Sequence, residues 1–371
     1  MNVRYCGPAL DYSGYGEANR HDIAALVSAG IGVTIEPTRH CLEIADFGKL
    51  GQLVQSKINN PIPYQVKIIH TTPNIFPQFI ERDKYNIGRV FWETDKLPAD
   101  FARGAEACDE IWTGSQYNYD AIRKAGVTKP IFIIPEVITV DIPEYPPFTA
   151  DNVGQSVYNF YSIFEWTERK NPEALLTAYW LEFENQTDVS LTLKTYLDNF
   201  SPEKRAEIDD RIRQIKIKLG LKHYAPLYLY RNLMDRAQIY RFHATYDCFV
   251  SAHRGEGWGI PQMEAMLMGR PIISTNCGGI HEYLKNNETA KLISWTPTPV
   301  KNNRNTQWYC EDQNWGDIDI DELRQAMRWS FKNREEAKQM GERSREFVKS
   351  TFSPENVGKL MRAKLEVIAT P

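Results

Sequence analysis

Two glutamates set among glycines are the residues of this sequence with the clearest capacity for chemistry. Glu256 lies between glycines 255 and 257, a third glycine stands at 259, and Glu264 follows inside a helical pattern. Pro261 suits the first position of that helix, so residues 253–259 form a loop that leads into a helix N-terminus. Glycines admit a ligand close to the backbone, and the helix N-terminus favours an anion such as a diphosphate.

The two carboxylates suit sugars on either side of such a diphosphate. Glu264, on the first turns of the helix, can accept two hydrogen bonds from a diol such as a ribose. Glu256 can bind a second polyol, or stabilise positive charge that develops on a sugar ring in a transition state. The alternative is a first-turn glutamate stabilised by the helix dipole and a solvated loop glutamate. The spacing favours one carboxylate for each sugar of a sugar nucleotide.

A basic pair precedes another helix. Arg169 and Lys170 follow a strand pattern and lie just before a helical one. Two cations at this place can neutralise a leaving diphosphate without a metal ion. A solvated basic pair is the alternative, although cations at a helix N-terminus are unfavourable and need a reason.

Strand and helix patterns alternate along the chain, which is typical of βαβ units and parallel sheets. The first series predicts strands at 3–6, 32–36, 66–70, 88–92, 109–113 and 131–134, with helices ending near residue 30 and spanning 117–125. Prolines and lost periodicity predict a linker over 141–156. The second series predicts strands at 157–164, 189–196, 226–230, 247–252 and 271–275, alternating with helices at 171–184, 202–219, 235–244 and 260–268. Three further helices are predicted at 319–333, 334–351 and 354–369. Two doubly wound α/β domains are the simplest account.

Composition limits the class of protein. The 371 residues suit two domains, and no apolar run approaches the ~20 residues of a membrane helix. The N-terminus lacks a signal-peptide pattern, and six scattered cysteines form no metal or disulfide motif, so we expect reduced thiols in a cytoplasmic protein. The net charge of −4 gives no general attraction to nucleic acid, although a local basic patch is not excluded.

An acidic pattern elsewhere is assigned to helix capping. Asp317 and Asp319 form an Asp-x-Asp pattern of the kind that holds Mn²⁺ in some enzymes, but they directly precede a helical pattern without ending a predicted strand. Acidic residues are favoured at helix starts. We therefore expect no metal site.

The two-glutamate segment resembles the signature of family 4 retaining glycosyltransferases, in which two glutamates are separated by seven residues. The resemblance continues through Met268–Glu282. It implies the GT-B fold, in which two Rossmann-like domains face each other across a cleft. It also implies that Glu264 holds the donor ribose, that Glu256 faces the transferred sugar, and that the backbone amides of residues 257–260 meet sugar and phosphate: Gly257, Trp258, Gly259 and Ile260.

Other segments are similar to further family motifs. Residues 162–179 resemble the strand and loop that end in a phosphate-binding lysine, here Lys170, although Glu165 occupies the place of the family's arginine. The loop with Gly14 and Gly16 resembles the glycine-rich loop near donor and acceptor. Trp92-Glu93 stands where many members have a histidine. His70, which ends an earlier predicted strand, is a candidate for that catalytic role, and equally for an acceptor-site or structural role. Arg231, after a strand, is assigned to the donor nucleotide.

The resemblance implies a domain plan and a reaction. Residues 1–147 would be an acceptor-side domain, 148–352 a nucleotide-sugar-binding domain, and 353–371 a helix that packs back on the first domain. The enzyme would move a hexose from a GDP- or UDP-sugar to a hydroxyl of a glycan or lipid-linked sugar, with retention, no metal and no cofactor besides the donor substrate. Catalytic roles fall to Glu256 and His70.

Other functions remain open at this stage. A non-catalytic partner of an active transferase would keep the sugar-nucleotide site but show no turnover. An epimerase or phosphorylase on the same fold would differ in its need for an acceptor. The acceptor of a transferase could also be a protein or a modified DNA base.

Overall fold

The computed structural model of the chain describes residues 1–38, 47–139, 148, 157–301 and 307–369. Its contacts divide the chain into two units, one of Met1–Pro143 with Phe347–Pro371 and one of Glu144–Glu346. The predicted linker 141–156 lies, apart from Phe148, outside the described residues. No helix in the described ranges is long and apolar enough to cross a membrane.

The first unit is built on one parallel sheet. In its described residues six strands occur in the order β2-β1-β3-β4-β5-β6. Their bounds are β1 Asn2–Gly7, β2 Gly32–Pro37, β3 Val66–Ile69, β4 Tyr85–Val90, β5 Glu110–Thr113 and β6 Ile131–Ile133. The order reverses once, between β1 and β3, so the carboxyl ends of these two strands form a topological switch point.

Helices of the first unit include one from the end of the chain. The bounds are α1 Gly14–Ser28, α2 Gly48–Gln55, α3 Ala99–Glu106, α4 Gln116–Lys124 and, from the C-terminal segment, α11 Pro354–Ala369. The Ser28 Oγ on α1 donates to the Pro354 carbonyl at 2.9 Å, and Val357, Met361 and Leu365 are buried in the same core as Ile23 and Leu26. The C-terminal helix therefore packs on α1 within this unit.

The second unit repeats the same winding. Its sheet has the order β12-β11-β10-β7-β8-β9. The strands are β7 Tyr158–Glu165, β8 Val189–Tyr196, β9 Leu227–Tyr230, β10 Cys248–Ser251, β11 Ile272–Thr275 and β12 Lys291–Ile293. The helices are α5 Pro172–Glu182, α6 Pro202–Leu219, α7 Arg236–Thr245, α8 Ile260–Leu267, α9 Ile320–Lys332 and α10 Arg334–Thr351, whose last residues, from Phe347, belong to the first unit. The order reverses between β7 and β10, whose carboxyl ends lead to Arg169–Lys170 and to Glu256.

An antiparallel hairpin accompanies the second sheet and was not expected from the sequence. It joins β13 Trp295–Pro299 to β14 Asn314–Ile318. The expectation that the Asp-x-Asp pattern does not end a strand is wrong, because Asp317 lies near the end of β14. Its carboxylate pairs with Arg254. The capping assignment holds for Asp319, whose side chain accepts hydrogen bonds from the backbone N–H groups of Asp321 and Glu322. The prediction of two doubly wound parallel-sheet domains is confirmed.

Candidate functional site

The loop between β10 and α8 has a conformation that requires glycine. Gly259 has φ +92°, and a Cβ atom there would lie 2.7 Å from the Tyr283 hydroxyl. That hydroxyl donates to the carbonyls of Trp258 and Gly259, at 2.6 and 3.0 Å. Trp258 is buried, and Ile260 begins α8. The Tyr283 hydroxyl thus fixes the backbone of residues 257–260. This segment leads into the N-terminus of α8, as the sequence predicts.

The backbone of Glu256 is fixed by a neighbouring glycine segment. The Gly279 N–H donates to the Glu256 carbonyl at 2.8 Å. A Cβ atom on Gly278 would lie 2.3 Å from the same carbonyl oxygen. This close approach explains why the sequence has two adjacent glycines after β11, and it positions the glutamate at the carboxyl ends of the strands.

The Glu256 carboxylate lies between the two cations that follow β7. Arg169 Nη1 is 3.1 Å from Glu256 Oε2 and donates to the Gly255 carbonyl at 2.8 Å. Lys170 Nζ pairs with Glu256 Oε1. Burial by itself raises the pKa of Glu256, but the charges of Lys170 and Arg169 outweigh it and lower the pKa to about 2. Glu256 is therefore ionised at neutral pH, and the three predicted residues form one cluster.

A neutral histidine supports the same loop. His253 is fully buried, and its Nε2 lies 2.9 Å from the Cys277 carbonyl, which can only accept. Nε2 therefore carries the proton, and Nδ1 accepts from the Ser251 hydroxyl at 2.9 Å. Burial lowers the pKa of His253 to about 4. His253 joins the end of β10 to the segment after β11 without adding a charge beside Glu256.

The second glutamate of the motif has its own partners. Glu264 is buried on α8, and its Oε1 pairs with Arg236 on α7. Its Oε2 lies 3.4 Å from Nε2 of His243, whose Nδ1 is 2.9 Å from the Tyr161 hydroxyl. Burial lowers the pKa of His243, so this histidine is neutral and can donate from Nε2. Sequence reasoning missed Arg236 because its partner is distant in sequence, although the capping box at Asp235 and Gln238 places it in a first turn.

Within the described ranges, the contacts of Arg231 are with α6 and not with the Glu256 cluster. Its Nη1 binds Asp209 Oδ1 at 2.5 Å and the Arg205 carbonyl at 3.2 Å, both on α6. These contacts tie the residue after β9 to the neighbouring helix. The predicted role of Arg231 in binding the donor nucleotide stays a prediction.

The glycine-rich loop of the first unit forms a helix start. Gly14 begins α1, and the Ser13 side chain caps it by accepting from Gly16 N–H at 3.3 Å. A Cβ atom on Gly16 would lie 2.1 Å from the Asp11 carbonyl oxygen. Close packing explains the glycine at 16, and the predicted contact of both glycines with the donor stays a prediction.

His70 belongs to a buried cluster of the first unit. It follows β3, and its Nδ1 lies 2.6 Å from the Tyr5 hydroxyl and 3.5 Å from Asp22 Oδ2. Its Nε2 has no hydrogen-bond partner in the part of the chain that the structure describes. Asp22 also binds Arg89 through two contacts of 3.0 and 3.2 Å. Burial lowers the pKa of His70. The ring is thus a neutral hydrogen-bonding group, and its catalytic role stays a prediction.

The part of the chain that holds the two glutamates matches a known family. Residues 168–299 match Glycosyl transferases group 1. This range contains Arg169, Lys170, Glu256 and Glu264. No curated protein sequence matches the chain significantly.

Solved structures of similar fold span nearly the whole chain. Sucrose-phosphate synthase from Thermosynechococcus elongatus has a TM-score of 0.70 at 15% identity and covers 100% of both chains. A glycosyltransferase from Rickettsia africae has a TM-score of 0.69 at 14% identity, covering 100% of this chain and 99% of that one. Anabaena HepE in complex with UDP and glucose has a TM-score of 0.68 at 13% identity, covering 99% and 100%. The chain therefore has the GT-B fold, and its residues 168–299 match the glycosyl transferases group 1 model, which confirms the predicted enzyme class of glycosyltransferase.

Proposed function

We propose that the protein is a retaining, metal-independent glycosyltransferase that moves a hexose from a nucleoside diphosphate sugar to a hydroxyl group. The observation that carries this proposal is the cluster of one ionised carboxylate and two cations at the topological switch point of the second sheet. Ligands of open α/β sheets bind outside the carboxyl ends of the strands at such a point. The cluster supplies charge of both signs where a sugar diphosphate needs them.

Donor binding changes the partners of the two cations. Arg169 and Lys170 contact Glu256 in the structure, and their side chains are 18% and 14% exposed. A diphosphate at the loop 257–260 would compete with the carboxylate for these cations. Arginine and lysine neutralise phosphate oxygens through charge-assisted hydrogen bonds. The leaving group is thereby stabilised as the bond to the sugar breaks.

Glu256 then acts on the transferred sugar. Its low pKa keeps it ionised, so it can stabilise positive charge on the sugar ring as the diphosphate departs. The acceptor hydroxyl attacks the anomeric carbon on the face from which the diphosphate leaves, and a leaving phosphate oxygen takes the hydroxyl proton. The bond to the diphosphate oxygen breaks and the new glycosidic bond forms with retention.

We assign Glu264 to the donor nucleotide and the first domain to the acceptor. Glu264 would hold the ribose, in exchange for its contact with Arg236. We favour UDP or GDP as the nucleotide, and a glycan or lipid-linked sugar as the acceptor. UDP is supported by Anabaena HepE, whose structure was solved with UDP and glucose. The acceptor would be bound mainly by the first domain, in which His70 presents a neutral ring.

A panel of nucleoside diphosphate sugars tests this function. Each sugar is added without metal, and thermal stabilisation and slow release of the diphosphate are both measured. We expect one donor to stabilise the protein and to be hydrolysed slowly. The anomeric configuration of the product, read by nuclear magnetic resonance once an acceptor is found, then tests retention.

A different result would change the assignment. Stabilisation without release, in the presence of candidate acceptors, would identify a binding partner of an active transferase instead. Release that needs a divalent cation would contradict metal independence while leaving sugar transfer in place.

A further inference from the structure

One lysine of the second unit is buried without an acidic partner. Lys194 on β8 is 6% exposed, and no carboxylate pairs with it among the residues that the structure describes. Burial lowers the pKa of its amine to about 8. Lysines are almost never fully buried unless they are paired, because the charge loses its hydration. Lys194 therefore lacks the partner that such a position normally supplies.

Aromatic rings take the place of that partner. The Lys194 Nζ lies 5.0 Å from the ring centroid of Phe200 and 5.5 Å from that of Tyr196. The two rings are 4.9 Å apart, with an interplanar angle of 34°. A cation near an aromatic face is stabilised by the ring quadrupole. Among the described residues the Lys194 amine makes no side-chain hydrogen bond that changes its pKa, so its N–H groups can still donate to a ligand.

The strand register places this lysine beside the strand that leads to the candidate phosphate site. Lys194 lies opposite Ile163 on β7 and opposite Tyr230 on β9. β7 leads directly to Arg169 and Lys170. Tyr230 is one of the exposed large side chains, at 36%, and its ring packs edge-on against Phe242. A buried cation and several aromatic rings thus lie near the carboxyl edge of the sheet that holds the candidate phosphate site.

We infer that Lys194, together with the rings of Tyr196, Phe200 and Tyr230, recognises the base of the donor nucleotide. The rings offer flat apolar surfaces for a planar base, and Nζ donates a hydrogen bond to a keto oxygen of the base. This inference rests on the proposed function. The diphosphate already has Arg169 and Lys170, which leaves the base as the part of the donor that needs a partner.

The chemistry of the bases gives the inference a direction. Uracil and guanine carry a keto oxygen where cytosine and adenine carry an amino group, which is a donor. An ammonium group accepts no hydrogen bond and would face that amino group unfavourably. Lys194 therefore selects UDP and GDP over CDP and ADP.

The test compares two lysine variants in which the amine lies near aromatic rings. Lys194→Met keeps the buried stem and removes the charge. Lys216→Met is the matched control, because Lys216 also lies over two rings, those of Trp180 and Tyr224, at 5.1 and 4.9 Å. Calorimetry measures binding of UDP, CDP, GDP, ADP and inorganic pyrophosphate to the wild-type protein and to each variant.

We expect Lys194→Met to weaken binding of the preferred keto nucleotide about 10- to 100-fold, the range of a hydrogen bond to a charged group. The preference for UDP over CDP, or for GDP over ADP, should fall by a similar factor. Pyrophosphate binding should stay within about twofold, and thermal stability should not fall, because an unpaired buried charge is removed. Lys216→Met should leave all nucleotide affinities unchanged. Lys194→Gln, which keeps a neutral donor, should give an intermediate loss.

Three results would overturn the inference, and each leads to a different conclusion. An unchanged base preference in Lys194→Met and Lys194→Gln would remove Lys194 from base recognition. An equal loss of pyrophosphate and nucleotide binding would make Lys194 part of an anion site. A wild-type protein that binds none of the four nucleotides would reject the proposed function itself, whereas the first two results leave that function intact.

Discussion

Each unit holds a cluster of charged residues near the reversal of its sheet, but the two clusters differ in their exposure to solvent. In the first unit, Asp22 pairs with Arg89 near the reversal of the sheet, and their side chains are 1% and 0% exposed. In the second unit, Glu256 pairs with Arg169 and Lys170, whose side chains are 18% and 14% exposed. A ligand can compete with Glu256 for Arg169 and Lys170, whereas Arg89 is buried and inaccessible to a ligand.

The difference shows how one winding supports two kinds of ion cluster. The attraction within a buried ion pair is strong because the local dielectric is low, but removing one partner leaves an uncompensated buried charge. The main effect of such a pair is therefore on the stability of the fold. Cations that retain access to solvent can exchange a carboxylate for a phosphate. The exposure of a charged group therefore says more about its ability to bind a ligand than its position in the sheet topology does.

The largest expected effect is on folding of the first unit. Arg89→Met leaves Asp22 buried without its guanidinium partner, and breaking a buried pair destabilises a protein by about 3–5 kcal/mol. Denaturation of the full chain should show this loss. Met replacement at Arg103 on α3, an exposed arginine, is the control and should change stability little. A change below about 1 kcal/mol in Arg89→Met would show that the sealed pair is not structural.

The next effect is on catalysis in the second unit. Glu256→Gln removes the charge that we propose stabilises the sugar, and loss of such an electrostatic contact lowers the rate ~10²–10³-fold. Binding of pyrophosphate should not weaken, because Arg169 and Lys170 lose a competing carboxylate. Transfer rate and pyrophosphate affinity are measured on the same preparation.

Glu165→Gln is the matched control for that change, because Glu165 is a half-buried glutamate at the end of β7. Its transfer rate should stay within about threefold of the wild type. Equal loss in both variants, or a near-normal rate in Glu256→Gln, would contradict the role given to Glu256.

A smaller effect is expected at the second glutamate. Glu264→Gln should weaken nucleotide binding about tenfold, since the ribose would lose hydrogen bonds to a charged group. The affinity for pyrophosphate should remain close to the wild-type value. Titration with UDP, GDP and pyrophosphate checks this split, and a loss confined to pyrophosphate would move Glu264 from the ribose to the phosphates.

The two units should also differ in how pH affects their stability. Burial, helped by the charge of Asp22, raises the pKa of Glu136 in the first unit to about 8. The folded state then holds a proton that the unfolded state loses above its ordinary pKa of 4.5, so this contribution is lost as pH rises from about 4.5 to 8. In the second unit the pKa of Glu256 is about 2, so its contribution is lost as pH falls from 4.5 towards 2.

Glu136→Gln separates these two dependences. Free energies of unfolding at several pH values from about 2 to 8 should show that the wild type loses stability relative to the variant as pH rises from about 5 to 8, because the glutamine does not titrate. The loss of stability in acid should persist in the variant. A difference that is constant across this range would mean that Glu136 is ionised in the folded protein.

Much of the fold was predictable from local patterns. The strand at 189–196 and the helix at 202–219 occur at the predicted bounds, because apolar and polar residues alternate along most of β8, and because α6 follows the capping residue Ser201 and ends before Gly220 in the left-handed conformation. The hairpin of β13 and β14 was missed, since prolines at 297 and 299 argue against a strand. An antiparallel pair at an edge tolerates them.

The sequence predicts members of the candidate site but not the contacts between them. The spacing of Glu256 and Glu264 identified both residues, and the place of Lys170 before a helix identified the cation. No pattern indicated that Arg236 binds Glu264, or that Lys194 is buried among rings. These contacts join strands and helices that are distant in sequence, and local periodicity holds no information about them.

The sequence by itself determined the alternation of strands and helices, the glycine loop and the residue types that can bind a sugar diphosphate, because these depend on neighbouring residues and on backbone preferences. Only the tertiary structure decided which charges are sealed and which remain accessible. Burial and the distances between charges arise when the sheet brings the ends of β7 and β10 together, and those two quantities set the pKa of Glu256 and the availability of its partners.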